Sequence, residues 1–395
     1  MNIFIGTSEI ASVLTELAEG FKELGHNVTT YVTEVNKFYE KNNYNIKRNL
    51  FLNDLFNYKS KKWIPSRIKN EIEKIDLKFK SIYLKIKNKK LIENNDLFIF
   101  IWEPWIEESL LFPLIKSKGK KIICIQLGSD VRYLEAFSYE FNIDTSSFPE
   151  HYKGNFEQKI KKIRAQELYA DVIYSVPDQA SLMIKDYKHI YIPISQNKNI
   201  RFNIPKRKIP LIVHAPSNSD IKGTNVILKI IQQLKNNGVN FEFKLIQNMQ
   251  NDELINVLSD ADILCDELYF HGPGVLSTEA MLAGCAVLTR TIKTDFFNPP
   301  VVSINENNLY DELKNLIENI ELRSQLALLG REFALINNNS VSITSKMIED
   351  LTIINKNEYY KPNFYLNNQK LFEKELTSSL KMLDKLVIDN ISSTK

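Results

Sequence analysis

LIVHAPSNSDIKGT (211–224) and DILCDELYFHGPGVLSTEAMLAGCAVLT (262–289) are the two stretches on which the fold of this chain turns. In each, an apolar run of strand length ends in a polar, glycine-bearing turn, and a helical period follows. LIVHA (211–215) reads as a buried strand, and Lys222 and Gly223 stand at the mouth of a helix predicted over 223–236. ADILCD (261–266) reads as another strand. After it come the loop Gly272-Pro273-Gly274 and a helix predicted over 276–284, with Glu279 a turn inside it. FEFKLI (241–246), a helix at 252–259 and AVLTR (286–290) complete the set. Strands alternating with helices predict a parallel sheet covered on both faces.

The same rhythm runs through the first half. NIFIG (2–6), HNVTTYV (26–32), DLFIFIW (96–102), KKIICIQLG (120–128) and ADVIYSV (170–176) read as strands. Ser8 is placed to cap the first helix, with Gly25 ending it. QNKNIRFNIPKRKIP (196–210), with two prolines and five Lys or Arg, has no period and reads as a linker. The expectation is an α/β chain of two Rossmann-like domains, 1–195 and 210–340, joined by 196–209. Helices over 341–395 would pack back across the junction.

Ligands of open α/β sheets bind beyond the carboxyl ends of the strands. The unusual residues collect there: Gly6-Thr7-Ser8, Glu103-Pro104-Trp105, Gly128-Ser129-Asp130, His214 to Lys222, and Asp266 to Glu279. Helix N-termini attract phosphate, and Lys222 adds a cation beside Gly223 and Thr224. Gly272 and Gly274 let backbone approach a ligand closely. Glu279 is placed for its carboxylate to accept two ribose hydroxyls. Two helix mouths, a lysine and a glutamate together suit a nucleoside diphosphate, and point to a nucleotide-sugar enzyme. In GSDVR (128–132), Asp130 suits an acceptor hydroxyl and Arg132 a phosphate or carboxylate. An ordinary strand-end turn closed by a salt bridge explains the same residues.

The two blocks resemble the C-terminal domain of retaining GT-B glycosyltransferases of the group-1 type (glycosyltransferase family 4). The match is strong over roughly 205–295, where EAMLAGCAV follows the family's EAMA-G-PV run, and rests on layout over 1–195. The resemblance implies two domains facing a cleft. It also implies sugar transfer with retention, without a metal or cofactor, from a nucleotide-diphosphate donor such as a UDP-sugar to a glycan or lipid-linked acceptor. Carried over by position, Lys222, Gly223, Thr224 and Ser217 would hold phosphate and Glu279 the ribose. Asp266, Gly272, Gly274, Val275 and Leu276 would line the donor site. On the acceptor side would stand Asp130, Arg132, Glu103, Gly6 and Ser8. The chain departs from the family in three ways. His271 stands eight residues before Glu279, where the family has its sugar-contacting glutamate. The arginine usual ahead of the KG motif is missing from HAPSNSD, and Cys285-Ala286 replaces the usual pair. These departures resemble a divergent bacterial subgroup. A nucleotide-sugar epimerase or a non-catalytic scaffold of the same fold are the rival readings.

Other chemistries find little support. A net charge of +3 gives no nucleic-acid signal. Asp260-Ala261-Asp262 spells DxD but straddles a helix end and a strand start, so no metal is expected. Cys124, Cys265 and Cys285 form no CxxC and read as buried free thiols in a reducing compartment. The start lacks a signal peptide, and no apolar run approaches the ~20 residues of a membrane span. A cytoplasmic protein is expected, with peripheral contact at the inner face of the membrane left open by residues 57–90. That stretch holds twelve Lys or Arg against three Asp or Glu, and isoleucines at helical spacing. It suits an anionic lipid surface or packing on the N-terminal sheet.

Overall fold

The computed structural model describes residues 1–33, 44–47, 65, 68, 89–194, 200–352 and 356–393. Most of 57–90 lies outside the described residues.

Among the described residues there are two sheets, each wound in the doubly covered manner expected. In the first, β1 (Asn2–Thr7), β2 (Asn27–Val32), β3 (Ile46–Lys47), β4 (Leu97–Ile101), β5 (Lys121–Ile125), β6 (Val172–Ser175) and β7 (Tyr187–His189) are all parallel. In the second, β8 (Leu211–His214), β9 (Glu242–Leu245), β10 (Ile263–Cys265), β11 (Ala286–Thr289) and β12 (Val302–Ser303) are parallel in the order β12-β11-β10-β8-β9. Strands buried on both faces need apolar residues at successive positions. Leu97–Ile101, LFIFI, is buried at every one. Alternate residues serve opposite faces: Phe4, Phe98 and Phe100 enter one core cluster, and Ile3, Ile5, Ile99 and Ile101 the other.

The C-terminal tail returns to the first half. Helix Ser340–Asp350 lies on helix Val13–Glu23. β13 (Tyr359–Tyr360) then adds an antiparallel edge strand to β7. Helix Ser378–Ser393 packs on helix Phe156–Tyr169 through a buried ion cluster. Arg164, fully buried, donates to Asp384 Oδ1 at 2.6 Å and to Glu167 Oε2 at 2.7 Å, and Tyr365 Oη donates to Asp384 Oδ2 at 2.7 Å. Ion pairs this deep are retained only when hydrogen-bonded on several sides.

The two halves meet at their strand ends. Leu134, Phe137 and Phe148 from the first half form one apolar cluster with Ile221 and Phe270 from the second. The carboxyl ends of both sheets therefore face a common junction. No helix among the described residues is long and apolar enough to cross a membrane.

Candidate functional site

The site is built outward from Lys222. β8 leads through an exposed Ser217 and an Asn218 cap into one short helical turn, Ser219–Lys222. Gly223 then breaks direction with φ +71°, and helix Thr224–Asn236 begins. A side chain at Gly223 would meet Leu268 Cδ2 at 2.7 Å, so the turn needs glycine for both conformation and space. The lysine is thereby aimed at the end of β10. Its Nζ lies 2.7 Å from Asp266 Oδ1 and 3.1 Å from Glu267 Oε2. Burial alone would lower the Lys222 pKa, but the two carboxylates hold it above the ordinary lysine value. Burial would raise Asp266, and Lys222 and the Ser277 hydroxyl hold it down instead. Glu267 is raised, by burial first and with Asp266 adding to it against the pull of Lys222.

Asp266 joins the two blocks. Its Oδ2 accepts from Ser277 Oγ at 2.7 Å, in the first turn of helix Val275–Ala283. That helix follows the Gly272-Pro273-Gly274 loop. Gly272 N–H donates to Arg290 O at 2.7 Å, and a side chain there would collide with Thr289 Oγ1. Val275 and Leu276 are half-buried at the helix mouth. Glu279 is buried one turn in, and Asn251 Nδ2 donates to its carboxylate at 3.3 and 3.1 Å.

His271 is placed differently from a glutamate. Its Nδ1 accepts the Ile292 N–H at 3.0 Å, which puts the ring proton on Nε2. Nε2 is buried without a partner. Burial pushes its pKa down to about 4; Asp178 opposes this, and Arg290 and Arg132 reinforce it. At neutral pH the ring is therefore uncharged and offers a donor where a glutamate would offer an acceptor.

Several expected residues have other occupations. Thr224 Oγ1 is bonded to His214 Nε2 at 2.9 Å, and His214 Nδ1 to Cys265 O at 2.7 Å. The threonine hydroxyl thus braces β8 against β10. Arg132 is nearly buried and paired with Asp178 at 3.1 Å. Asp130 Oδ1 accepts from Gly128 N at 2.9 Å and Leu127 N at 3.3 Å, closing its own turn. Asp130 Oδ2 is buried and unbonded, and burial lifts this carboxyl to about 6 against Lys162 and Lys159. Glu103 accepts from Lys162 at 3.1 Å. Gly6 is buried within β1. Ser8 does not cap the first helix: that helix begins at Val13, and Glu9 receives the Leu14 and Thr15 N–H groups at 3.0 and 3.2 Å. A carboxylate that reaches two N–H groups displaces a serine four residues short of the first turn. In the DxD triplet, Asp262 is bound to Leu211 N and Arg207, and Asp260 to Arg201. Among the described residues no group of three or more His, Cys, Asp or Glu could hold a metal ion.

Sequence reading missed Glu267, Ser277, Asn251 and Asp178. Glu267 and Ser277 lie inside the quoted block, where adjacent acids at a strand end and a serine in a first helical turn were available signals. Asn251 and Asp178 lie 28 and 93 residues from their partners and leave no local mark.

No family model matches the sequence, and no curated protein matches it. Solved structures do resemble the fold. Sucrose-phosphate synthase from Thermosynechococcus elongatus aligns with a TM-score of 0.59 at 13% identity, over 88% of this chain and 97% of that one. HepE from Anabaena, in complex with UDP and glucose, gives 0.53 at 10% identity over 89% and 99%. WaaG, a glycosyltransferase involved in lipopolysaccharide biosynthesis, gives 0.52 at 14% identity over 89% and 100%. At these identities the likeness is one of architecture: the chain has the GT-B fold, two Rossmann-like domains and returning C-terminal helices.

Proposed function

We propose that this chain transfers a sugar from a nucleotide-diphosphate donor, a UDP-sugar before others, to a glycan or lipid-linked acceptor, with retention and without a metal. The observation that carries the reading is the Lys222–Asp266–Ser277 network, which ties the mouths of helices Thr224–Asn236 and Val275–Ala283 to one cation. Helix mouths present unpaired N–H groups, and a departing diphosphate gathers negative charge as the sugar bond breaks. Fixed donors already aimed at that charge stabilise the transition state without reorganising. Lys222 supplies the cation, and Asp266 holds it in position. Glu279, steadied by Asn251, takes the ribose hydroxyls. His271 Nε2–H donates to a hydroxyl of the donor sugar, reversing the polarity of the family's glutamate. On the other side of the junction, Asp130 and its neighbours receive the acceptor.

A thermal-shift series with UDP, GDP and ADP, followed by turnover of the matching sugar donors with and without acceptors, tests the reading. A nucleotide at 100 times its Kd stabilises by about 2.7 kcal/mol, and turnover should require an acceptor. If no nucleoside diphosphate raises Tm and no donor is consumed, the assignment fails.

A further inference from the structure

The junction between the halves contains a polar contact that packing does not require. β6 ends at Ser175, and Val176-Pro177 leads to Asp178, whose side chain is wholly buried. Its Oδ2 accepts two hydrogen bonds. One comes from Arg132 Nη2 at 3.1 Å, in the turn after β5. The other comes from the backbone N–H of His271 at 3.0 Å, in the other half of the molecule. Arg132 Nε also reaches Asp178 O at 3.3 Å. The guanidinium lies 3.7 Å from the centroid of the Phe270 ring. Two successive residues of the second half, Phe270 and His271, are thus gripped by a single ion pair of the first.

The grip falls where the glycine loop starts. Phe270 is packed edge-on against Phe137 at 5.3 Å and Phe148 at 5.7 Å, both from the first half. His271 has its ring fixed from its own half by the Ile292 N–H, and Gly272 has its N–H fixed by Arg290 O. The loop entrance is therefore held on two sides, by the second half through residues 290–292 and by the first half through Asp178. A carboxylate paired with a guanidinium is a strong hydrogen-bond acceptor, and the one on Asp178 serves one particular N–H, that of His271. Losing that bond would free the His271 backbone to rotate, and with it the ring and the Gly272–Gly274 turn.

We propose that Arg132 and Asp178 form an inter-domain clasp that positions the His271–Gly274 turn for the donor. They are positioning residues, contributed by the N-terminal half to a site built on the C-terminal half. The proposal rests on the donor-site reading given above. It makes docking of the two halves and ordering of the donor loop one event. Asp178 Oδ1 and His271 Nε2, both buried and unbonded, leave one acceptor and one donor at the clasp for a donor sugar hydroxyl.

Amide hydrogen exchange on the full chain, with UDP as the binding probe, tests it. In Asp178→Asn the peptide spanning 269–275 should exchange at least tenfold faster, while peptides from β8 and β10 keep wild-type protection. UDP-sugar KM should rise several-fold more than kcat falls. Should Asp178→Asn loosen β8 and β10 as well, Arg132→Lys carries the test, since it keeps the charge but loses the forked contact and the Phe270 stacking. It should speed exchange at 269–275 alone. Wild-type exchange at 269–275 in a folded variant overturns the clasp, and so does unchanged UDP affinity in a variant whose loop has loosened. UDP that fails to bind wild type overturns the donor reading instead, and the exchange comparison still decides whether the clasp exists.

Discussion

Carboxylates at the strand ends of the two halves are treated in opposite ways. In the C-terminal half, Asp266 and Glu267 flank Lys222 at 2.7 and 3.1 Å, so buried carboxylates meet a largely covered cation. In the N-terminal half, Asp130 and Glu108 are as deeply buried, yet each keeps one oxygen unbonded. Burial lifts Asp130 to about 6 and Glu108 to about 7, and the nearby Lys162 does not offset it. One side is a compensated, preorganised ion network. The other carries carboxyls that change charge near neutrality.

The largest expected effect comes from breaking the compensated side. Lys222→Met leaves Asp266 and Glu267 buried without their cation. Removing one partner of a buried pair costs about 3–5 kcal/mol. The loss should be greater at pH 8 than at pH 5, because lowering the pH lets one carboxylate take a proton. Denaturant unfolding at the two pH values measures this. UDP affinity should fall on the order of a hundredfold, since charge-assisted hydrogen bonds contribute about 1.5–3 kcal/mol each. Full UDP affinity in a folded Lys222→Met protein would remove the lysine from the site.

The uncompensated side should show the reverse pH dependence. A carboxyl raised in the folded state contributes stability that is present below its unfolded pKa and lost as pH rises through the folded value. For Asp130 that window runs from 3.8 to about 6, and for Glu108 from 4.5 to about 7. Across each window the stability at stake is on the order of 3 kcal/mol. Asp130→Asn and Glu108→Gln should therefore gain stability relative to wild type between pH 5 and pH 8. Asp130→Asn should also remove a limb near pH 6 from kcat/KM while UDP affinity stays flat. A stability difference that does not change with pH would show that these carboxyls are compensated after all.

The same contrast explains what was legible in the sequence. Strand, turn and helix are local, so the two quoted blocks disclosed the second sheet, the helix mouths at Gly223 and Gly274 and the position of Lys222. The first half announced its strands through apolar runs such as LFIFI for the same reason. What local pattern does not carry is the partner of a polar atom. Thr224 has the residue type of a phosphate ligand, but a histidine ten residues upstream takes its hydroxyl. Arg132 has the chemistry of an anion site, but Asp178 occupies it. Ser8 has the type of a helix cap, and Glu9 outreaches it. Partner choice depends on how distant segments meet, which is why the expected N-terminal contacts moved most.

The finest test falls within the compensated side. Glu279 is buried in the second turn of its helix with Asn251 Nδ2 on both oxygens, so its carboxylate is oriented before any ligand arrives. An oriented acceptor shared between two ribose hydroxyls should discriminate by about tenfold, the equivalent of ~1.4 kcal/mol, against a nucleotide that lacks them. Wild type should bind UDP about tenfold more tightly than 2′,3′-dideoxy-UDP, and Glu279→Ala should bind the two alike. Asn251→Ala should give an intermediate preference, because it frees the carboxylate to rotate without removing it. Titration calorimetry with the two nucleotides against the three proteins closes the cycle. A preference that survives Glu279→Ala would place the ribose elsewhere and leave Lys222 as the anchor of the diphosphate alone.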